Sequence, residues 1–322
     1  MKSLRLSIVT PTYNNERDIE KFLKSIRRQD FSQRRVEILA ADGGSTDKTL
    51  AILKRYKVKI LQNKDKYADV GVNLGMQYAR GDIFMVLAAD NIFKKKDAIS
   101  KMMAVFDDKA IIAAFPKHAY SKNDTLYTKY MNTFTDPANH FVYGYACNPR
   151  TFHKVYGIKE KNKTYTVFGY KASKIVPLIA FAQGFCVRSE FKRSNKNKFD
   201  DIAPVMELIS KDKKIAYVHS VDLYHHTVSS FKNFVVKQAW KTGNYLEKKN
   251  YGISHRVKLL SQPQTSRIRI WPIYSLLIFP TIAYSLYHLI KDKEPMWILH
   301  PFMCIISAYT SFFVVILYRF KK

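Results

Sequence analysis

The sequence predicts an α/β domain built on a mostly parallel β-sheet, followed by two membrane-spanning helices. Strand-like and helix-like patterns alternate through residues 1–115, as they do in successive βαβ units. Two long segments near the C-terminus are apolar and contain no Asp, Glu, Lys or Arg. The net charge of +28 predicts an acidic partner, such as nucleic acid, anionic lipid or the phosphates of a nucleotide.

Each predicted element depends on the spacing of its apolar residues. Short apolar runs predict strands at residues 6–9, 36–41, 58–61, 83–88, 111–115, 184–187 and 215–218. Helical spacing of apolar residues predicts helices at residues 17–28, 47–56, 70–78, 97–106 and 202–210. Residues 116–180 are rich in Tyr, Phe, Lys and Asn with weak periodicity, so they are interpreted as a loop-rich insertion.

The strand-like run that begins at Gly81 ends in a carboxylate, Asp90. In α/β sheets, ligands bind at the carboxyl ends of the strands, which places Asp90 at a predicted active-site edge. A hard oxygen ligand there suits a divalent cation that bridges the phosphates of a nucleotide. The alternative is that Asp90 only caps the next helix.

Several classes of protein are disfavoured by what the sequence contains. Its three cysteines, Cys147, Cys186 and Cys304, lack metal-ligand spacing and fit a reducing compartment. The first residues form a strand-like run rather than the long apolar region of a signal peptide. Neither a Gly-x-Gly-x-x-Gly nor a Walker-type motif is present, which argues against a dinucleotide or P-loop site. Nucleic acid is not a predicted partner, since the positive charge is spread along the whole chain.

The two C-terminal apolar segments, Trp271–Ile290 and Met296–Tyr318, are each long enough to cross a hydrocarbon core of about 30 Å. Only residues 291–295 separate them, which predicts a transmembrane hairpin. Basic residues flank its outer ends: Arg267, Arg269, Arg319, Lys321 and Lys322. The positive-inside rule then places both termini and the whole N-terminal domain in the cytoplasm of a multi-pass membrane protein, with the short loop outside. The alternative is two buried core helices.

Residues 229–260 combine aromatic and basic side chains next to these predicted spans. The basic members are Lys232, Lys237, Lys241, Lys248 and Lys249. Such a segment is typical of helices on an anionic headgroup surface, although a solvated basic helix fits too. The predicted domains are therefore 1–228 (catalytic), 229–268 (juxtamembrane) and 269–322 (two transmembrane helices).

Short motifs, in the right order along the chain, resemble those of the family-2 inverting glycosyltransferases of the GT-A fold, a Rossmann-like α/β architecture. They are Ser7–Asn15, Ala41–Thr49, Gly71–Gly75 with Ala79–Asp82, Leu87–Asn91, Phe199–Asp201 and Tyr224-His225. Residues 116–180 contain no motif of that family and are interpreted as carrying acceptor-side loops.

The resemblance implies a role for each matching residue. Tyr13 and Asp42 would hold the uracil and ribose of a nucleotide-sugar donor, with Thr12 nearby and Asn73 also on the donor side. Asp90 would bind Mn²⁺ or Mg²⁺, with His225 as a possible second ligand. Asp201 would be the general base toward a glycan or lipid-linked acceptor, with Asp200 as its neighbour.

Each role has a structural alternative. Tyr13 could be a packed aromatic at a turn, and Asp42 could simply set the Gly43-Gly44 turn. Asp200 and Asp201 could be N-cap residues of the following helix. His225 and His226 could be interfacial surface residues.

Three departures from the family pattern bear on function. Ala88 stands where the first acid of Asp-x-Asp belongs, and Val72 replaces an Arg near the pyrophosphate. The continuation Asp-Leu-Gln-His-Pro of polyprenyl-phosphate sugar transferases is missing after Asp90. The resemblance implies a membrane-associated transferase in cell-surface polysaccharide or glycoconjugate synthesis. A catalytically impaired glycan- or lipid-binding scaffold and a polyprenyl-phosphate sugar transferase are the alternatives.

Overall fold

The computed structural model describes residues 5–191, 193–194, 200–247 and 257–320. These form two compact units. The first contains the chain up to Ala119, Tyr156–Ala172 and Ile179–His225, and the second contains Tyr120–Val155, Ser173–Leu178 and the chain from His226 onward. Some residues named above lie outside the described residues: Phe199, Lys248, Lys249, Lys321 and Lys322.

The strands, in chain order, are β1 Leu6–Thr12, β2 Val36–Asp42, β3 Lys59–Gln62, β4 Ile83–Val86, β5 Asn91–Phe93, β6 Ile111–Ala119, β7 Ile158–Lys161, β8 Thr166–Phe168, β9 Phe185–Arg188 and β10 Lys214–His225. The α-helices are α1 Ile19–Arg27, α2 Thr49–Arg55, α3 Ala68–Tyr78, α4 Ala98–Ala104, α5 Leu126–Phe134, α6 Pro137–Tyr143, α7 Ala203–Ser210, α8 Phe231–Leu246, α9 Gln262–Leu276, α10 Ile278–Asp292 and α11 His300–Phe320.

Within the described part of the chain, ten strands form one mixed sheet in the first unit. Its order is β3-β2-β1-β4-β9-β6-β10-β8-β7, and β5 pairs with β10. β1 runs parallel to β2 and β4, β2 to β3, and β6 to β10, while β9 lies antiparallel between β4 and β6. The carboxyl ends of β1, β2, β3, β4, β6 and β10 therefore meet at one edge of the sheet.

The predicted α/β class and its first nine elements are confirmed, with bounds that shift by a few residues. One strand was predicted too short. The run at 215–218 continues to His225, past an irregularity between Val218 and Asp222 in its pairing with β6. This longer strand brings Tyr224-His225 into the sheet.

A large part of the predicted loop-rich insertion, Tyr120–Val155, lies in the second unit. Two threonine hydroxyls near the start of α5, those of Thr125 and Thr128, donate to the carbonyl of Val228 at 2.7 and 2.6 Å. Phe134 of α5 packs against Trp297, with ring centroids 4.5 Å apart. Residues 120–155 thus share a core with the C-terminal helices. The domain ranges 1–228, 229–268 and 269–322 stay a prediction.

The predicted transmembrane hairpin is not confirmed. Among the described residues, one helical segment, Pro295–Phe320, is long and apolar enough to cross a membrane. The predicted first span, 271–290, is not a single straight helix, because α9 and α10 are bent by 104° at Leu277. The pair counts as a second span only if the bent helices are taken together.

Gly184 fixes the turn that leads into β9. Its φ of +85° is unfavourable for other residues, and its N–H donates to the carbonyl of Val86 at 2.7 Å. A Cβ at this position would lie 2.6 Å from Cγ of Pro116, a rigid ring atom.

We predict that Gly184→Ala lowers the free energy of unfolding by about 2–4 kcal/mol, from left-handed backbone strain plus overpacking. Urea unfolding measures the change. Gly157→Ala is the matched control, since a Cβ there meets nothing within 4 Å. Equal stability of the two variants would show that the turn does not need glycine.

Candidate active site

Two of the predicted donor-side residues, Thr12 and Asp42, face each other at the carboxyl ends of β1 and β2. The Asp42 carboxylate is buried and accepts from the N–H groups of Gly44 and Ser45 at 2.8 and 2.9 Å. It also accepts from the hydroxyls of Ser45 and Thr12 at 2.5 and 3.2 Å. An ionised carboxylate has about four acceptor sites, and these four hydrogen bonds use them. Asp42 therefore sets the Gly43-Gly44 turn, as the structural alternative predicts. A direct contact with the donor stays a prediction.

Tyr13 follows β1 directly and has an exposed fraction of 54%. Its N–H donates to the side chain of Asn15 at 3.0 Å, which holds the backbone of this loop. The alternative of a packed aromatic does not fit this exposure. An exposed ring at the carboxyl edge of the sheet is a suitable surface on which a base can stack.

Asn73 lies half-buried in the middle of α3, which begins at the same edge of the sheet. The helix approaches β1 closely, because a Cβ at Gly75 would collide with Val9. Nearer the start of the helix, Gly71 lies against Pro11 and Ala41, so α3 is packed on β1 and β2. Its role toward a donor stays a prediction.

Asp90 and His225, the predicted metal ligands, lie together. Oδ2 of Asp90 is 3.5 Å from Nε2 of His225, and both side chains are partly exposed. The pairing of β5 with β10 produces this contact, since Asn91 is directly opposite His225 in the register. The capping alternative for Asp90 is wrong: the next helix, α4, begins at Ala98, and the strand β5 lies between.

Asn91 orients the Asp90 carboxylate. Its buried side chain accepts from the N–H of Ala88 at 3.0 Å and donates to Oδ1 of Asp90 at 3.2 Å. Oδ1 of Asp90 is thereby directed to Asn91, and Oδ2 faces His225. Ala88, where the family has an acid, contributes its backbone to this arrangement.

The donor set of this pair fits a divalent cation. A carboxylate and an imidazole at this separation, both accessible, can ligate Mn²⁺ or Mg²⁺. No group of three or more His, Cys, Asp or Glu side chains with metal-site geometry occurs among the described residues. The remaining ligands would therefore be water and phosphate oxygens, the usual arrangement for Mg²⁺ in nucleotide sites.

Asp200 and Asp201 have different surroundings. Asp200 is buried, and its Oδ1 accepts from the N–H groups of Ile202 and Ala203 at 2.7 and 2.8 Å, at the start of α7. Asp201 is half-buried, and its carbonyl accepts from the N–H of Phe181 at 2.6 Å. The capping alternative therefore fits Asp200, whose carboxylate is engaged at the first turn of α7. This leaves Asp201 as the better candidate for a base.

Comparison with known proteins identifies the family. The family model for glycosyl transferase family 2 matches residues 7–173, just over half of the chain. The chain belongs to glycosyltransferase family 2.

Individual relatives of this family-2 chain match parts of it. A glucuronosyltransferase of Methanococcus voltae, named for a dolichyl N-acetyl-glucosaminyl phosphate acceptor, is 36% identical over 91 residues, 26% of this chain and 28% of its own. A dolichol-phosphate mannosyltransferase of Pyrococcus furiosus is 24% identical over 66% of each chain. The chain thus spans less than a third of the first of these relatives.

A solved structure supports the GT-A-like fold of this family-2 chain. A mannosyltransferase from Pyrobaculum calidifontis, in complex with GDP-Man and Mn²⁺, superimposes with a TM-score of 0.54 at 12% identity. The match covers 97% of this chain and 88% of that one. At this identity the likeness concerns the fold alone.

Two further residues near the candidate site belong to no sequence motif. Arg193 is almost completely buried, lies 3.9 Å from the Asp69 carboxylate and donates to the carbonyl of Asp200. Burial lowers the pKa of Arg193, while Asp69, Asp201 and Asp200 raise it. Arg193 is therefore a cation held beside the candidate base. In the sequence it is a single Arg among Lys and Asn residues, where no periodic pattern predicts a role for it.

The second is His118, at the end of β6. Its Nε2 lies 3.1 Å from the carbonyl of Gln183, and its ring centroid is 6.4 Å from that of His225. These contacts join the turn before β9 to the edge of the sheet where His118 and His225 lie. Only the parallel pairing of β6 with β10 reveals this proximity.

We predict that His225→Ala weakens Mn²⁺ binding in the presence of UDP by at least about tenfold. Loss of an outer-shell partner alone costs 10–100-fold in many metal sites, and a direct ligand should cost no less. Titration of free Mn²⁺ by electron paramagnetic resonance measures the change.

The matched control is His226→Ala. His226 is the neighbouring residue, but its Nδ1 lies 2.6 Å from the carboxylate of Asp124 in the second unit. Equal losses in both variants would count against His225 as a ligand.

We also predict that Tyr13→Ala weakens UDP binding about 5- to 150-fold, which corresponds to the loss of about 1–3 kcal/mol for one stacked base. Tyr13→Phe should retain most of the affinity, since the ring remains. Tyr78→Ala is the control: this tyrosine is 50% exposed on α3 and its ring contacts Lys59. Isothermal titration gives all three affinities, and unchanged binding by Tyr13→Ala would exclude stacking on Tyr13.

Proposed function

We propose that this family-2 protein is an inverting glycosyltransferase that moves a sugar from a nucleotide-sugar donor to a glycan or lipid-linked acceptor. The observation that carries the proposal is the Asp90–His225 pair at the carboxyl edge of the sheet. Relatives named for dolichyl and undecaprenol-linked acceptors support this class of acceptor.

The donor half of the proposed site lies around the ends of β1, β2 and β4. The exposed ring of Tyr13 would stack on the base, and the Asp42 turn would shape the wall beside the ribose. Asp90 and His225 would hold Mn²⁺ or Mg²⁺ against the diphosphate. The bound cation would supply Lewis-acid stabilisation of the negative charge that develops on the leaving group.

The acceptor half would be organised by the loop before α7. The carbonyl of Asp201 is bonded to Phe181, and the following Gly184 is bonded to Val86 at the end of β4. These two backbone contacts link the candidate base to the strand that leads to Asp90. The predicted base is therefore tied to the same sheet edge as the predicted metal ligands.

The proposed reaction is a single displacement. An acceptor hydroxyl loses its proton to the Asp201 carboxylate while its oxygen forms a bond to the anomeric carbon. The bond from that carbon to the diphosphate breaks, and the nucleoside diphosphate leaves with the electron pair. Attack from the face opposite the leaving group inverts the anomeric configuration. Arg193, which donates to the carbonyl of Asp200 and lies 3.9 Å from the Asp69 carboxylate, would hold a positive charge beside the candidate base.

The exposed apolar surface of the second unit supports a membrane location for this reaction. Large apolar side chains of α9, α10 and α11 are more than half exposed, among them Ile273, Phe279, Ile290, Phe313 and Phe320. Patches of this kind mark interaction or membrane surfaces. A lipid-linked acceptor would meet the enzyme at the same surface.

We predict that Asp201→Asn lowers the transfer rate about 10²- to 10⁴-fold, the usual contribution of general-base catalysis, with donor affinity nearly unchanged. Asp90→Asn should instead weaken donor binding and its dependence on Mn²⁺ together. Transfer rate and donor affinity, measured with a panel of nucleotide sugars, separate the two effects.

Asp200→Asn is the matched control for the base. The amide oxygen of Asn can still accept from Ile202 and Ala203, so this variant should keep most of its activity. Near-normal turnover by Asp201→Asn with a dead Asp200→Asn would move the base by one residue. A wild-type protein that neither binds nor hydrolyses any nucleotide sugar would instead favour the scaffold alternative.

A further inference from the structure

The bend between α9 and α10 carries an apolar apex. The two helices meet at Leu277 at an angle of 104°. Side chains on both sides of the bend are apolar and about half or more exposed: Ile273, Leu276, Leu277, Ile278 and Phe279. Phe279, at 86%, is among the most exposed large apolar side chains of the described residues.

In α10 the polar side chains are buried and the apolar side chains are exposed, the reverse of a helix on the surface of a water-soluble protein. Polar side chains at helical spacing are buried inside the second unit: Thr281, Ser285 and His288. Apolar side chains lie on the outside: Phe279, Ile282, Leu286 and Ile290. In a water-soluble protein the apolar stripe of a helix faces the core. The outer face of α10 therefore suits an apolar medium rather than water.

Both helices of the bend, α9 and α10, form hydrogen bonds with earlier residues of the second unit. At the start of α9, Gln264 is fully buried and exchanges two hydrogen bonds of 3.0 Å with the backbone of Val176. At the end of α10, Asp292 accepts from Lys154 at 2.7 Å and from Tyr145 at 3.0 Å.

These partners precede the bend in the sequence. Tyr145 and Lys154 come before both candidate spans, and because Asp292 bonds to them it lies on the same side of a membrane as they do. A loop at 291–295 on the far side, as the predicted hairpin requires, would separate Asp292 from Lys154 and Tyr145.

We propose that residues 262–292 form a re-entrant elbow whose apex enters one leaflet of a bilayer and whose two ends remain at the headgroup surface of the same side. This rests on the membrane association proposed above and not on the transfer reaction. Each leg has 15 residues, about 22 Å of helix, which at this bend stays short of a hydrocarbon core of about 30 Å.

The chemistry of the elbow matches a bilayer surface with anionic lipids. Basic residues lie on both sides of the apex, Arg267 and Arg269 in the middle of α9 and Lys291 and Lys293 at the end of α10. Such residues favour an anionic headgroup layer on one side.

Backbone groups at the apex are partly satisfied internally, which insertion into lipid requires. The N–H of Leu277 donates to Ile273 at 3.0 Å, and Pro280 has no N–H. The hydroxyls of Ser275 and Thr281 donate to the carbonyls of Pro272 and Ile278 at 3.1 and 2.8 Å.

Cysteine labelling of the full chain in native membranes tests the elbow. The three native cysteines are buried, which keeps the background low. We would place single cysteines at Phe279, at Lys293 and, as the reference for the second unit, at exposed Lys122. Each variant is treated with an impermeant maleimide, in intact cells and again after permeabilisation.

The elbow predicts that Lys293→Cys and Lys122→Cys label under the same condition, whichever side that is. Phe279→Cys should resist labelling in membranes and become reactive in denaturant. Ile282→Cys, at the next outward position, should behave as Phe279→Cys does and guards against a local folding defect.

Labelling of Lys293→Cys and Lys122→Cys from opposite sides would establish the crossing hairpin and overturn the proposal. So would free labelling of both Phe279→Cys and Ile282→Cys in membranes. Transfer activity is measured in parallel. The elbow pattern in an inactive wild-type protein would count against the proposed reaction alone.

Discussion

The antiparallel pairing of β5 with β10 is the contact on which the candidate site depends. β5 has three residues and begins one residue after Asp90, and β10 ends at His225. Their register places Asn91 opposite His225, which brings a carboxylate and an imidazole from distant parts of the chain within 3.5 Å. Without this short strand Asp90 would end a flexible loop. With it, the two side chains that can bind a cation are held by the sheet itself.

The rest of the site is connected to the same edge through backbone contacts. Gly184 joins the turn before β9 to the end of β4, and Phe181 joins that turn to Asp201. Arg193 adds a buried positive charge between Asp69 and the carbonyl of Asp200. These backbone contacts hold the segments that carry the candidate carboxylates.

The alternating first half of the fold could be predicted, because each buried strand and each helix has its own apolar period. The β10 extension could not, since polar residues between Val218 and Leu223 interrupt the apolar run. The strand β5 has only three residues, too few to show the alternation of apolar and polar side chains that predicts a strand. Residues 120–155 were unclear because they pack with the C-terminal helices, as Phe134 does on Trp297, and such long-range contacts leave no local pattern.

From the sequence, only those candidate site residues that lie in family motifs could be predicted. Asp90 and His225 were named from the motifs and do lie together, whereas Arg193 and His118 have no motif and were missed. Composition alone predicted straight C-terminal spans. It could not place the bend, although Pro280 in the first turn of α10 is a signal that a helix begins there.

The most direct test of this account is an experimental structure of the protein with UDP and Mn²⁺. We expect one Mn²⁺ in contact with Asp90, His225 and oxygens of the diphosphate, and the uracil ring against Tyr13. A nucleotide bound elsewhere, or a cation with neither Asp90 nor His225 among its ligands, would contradict the proposed site.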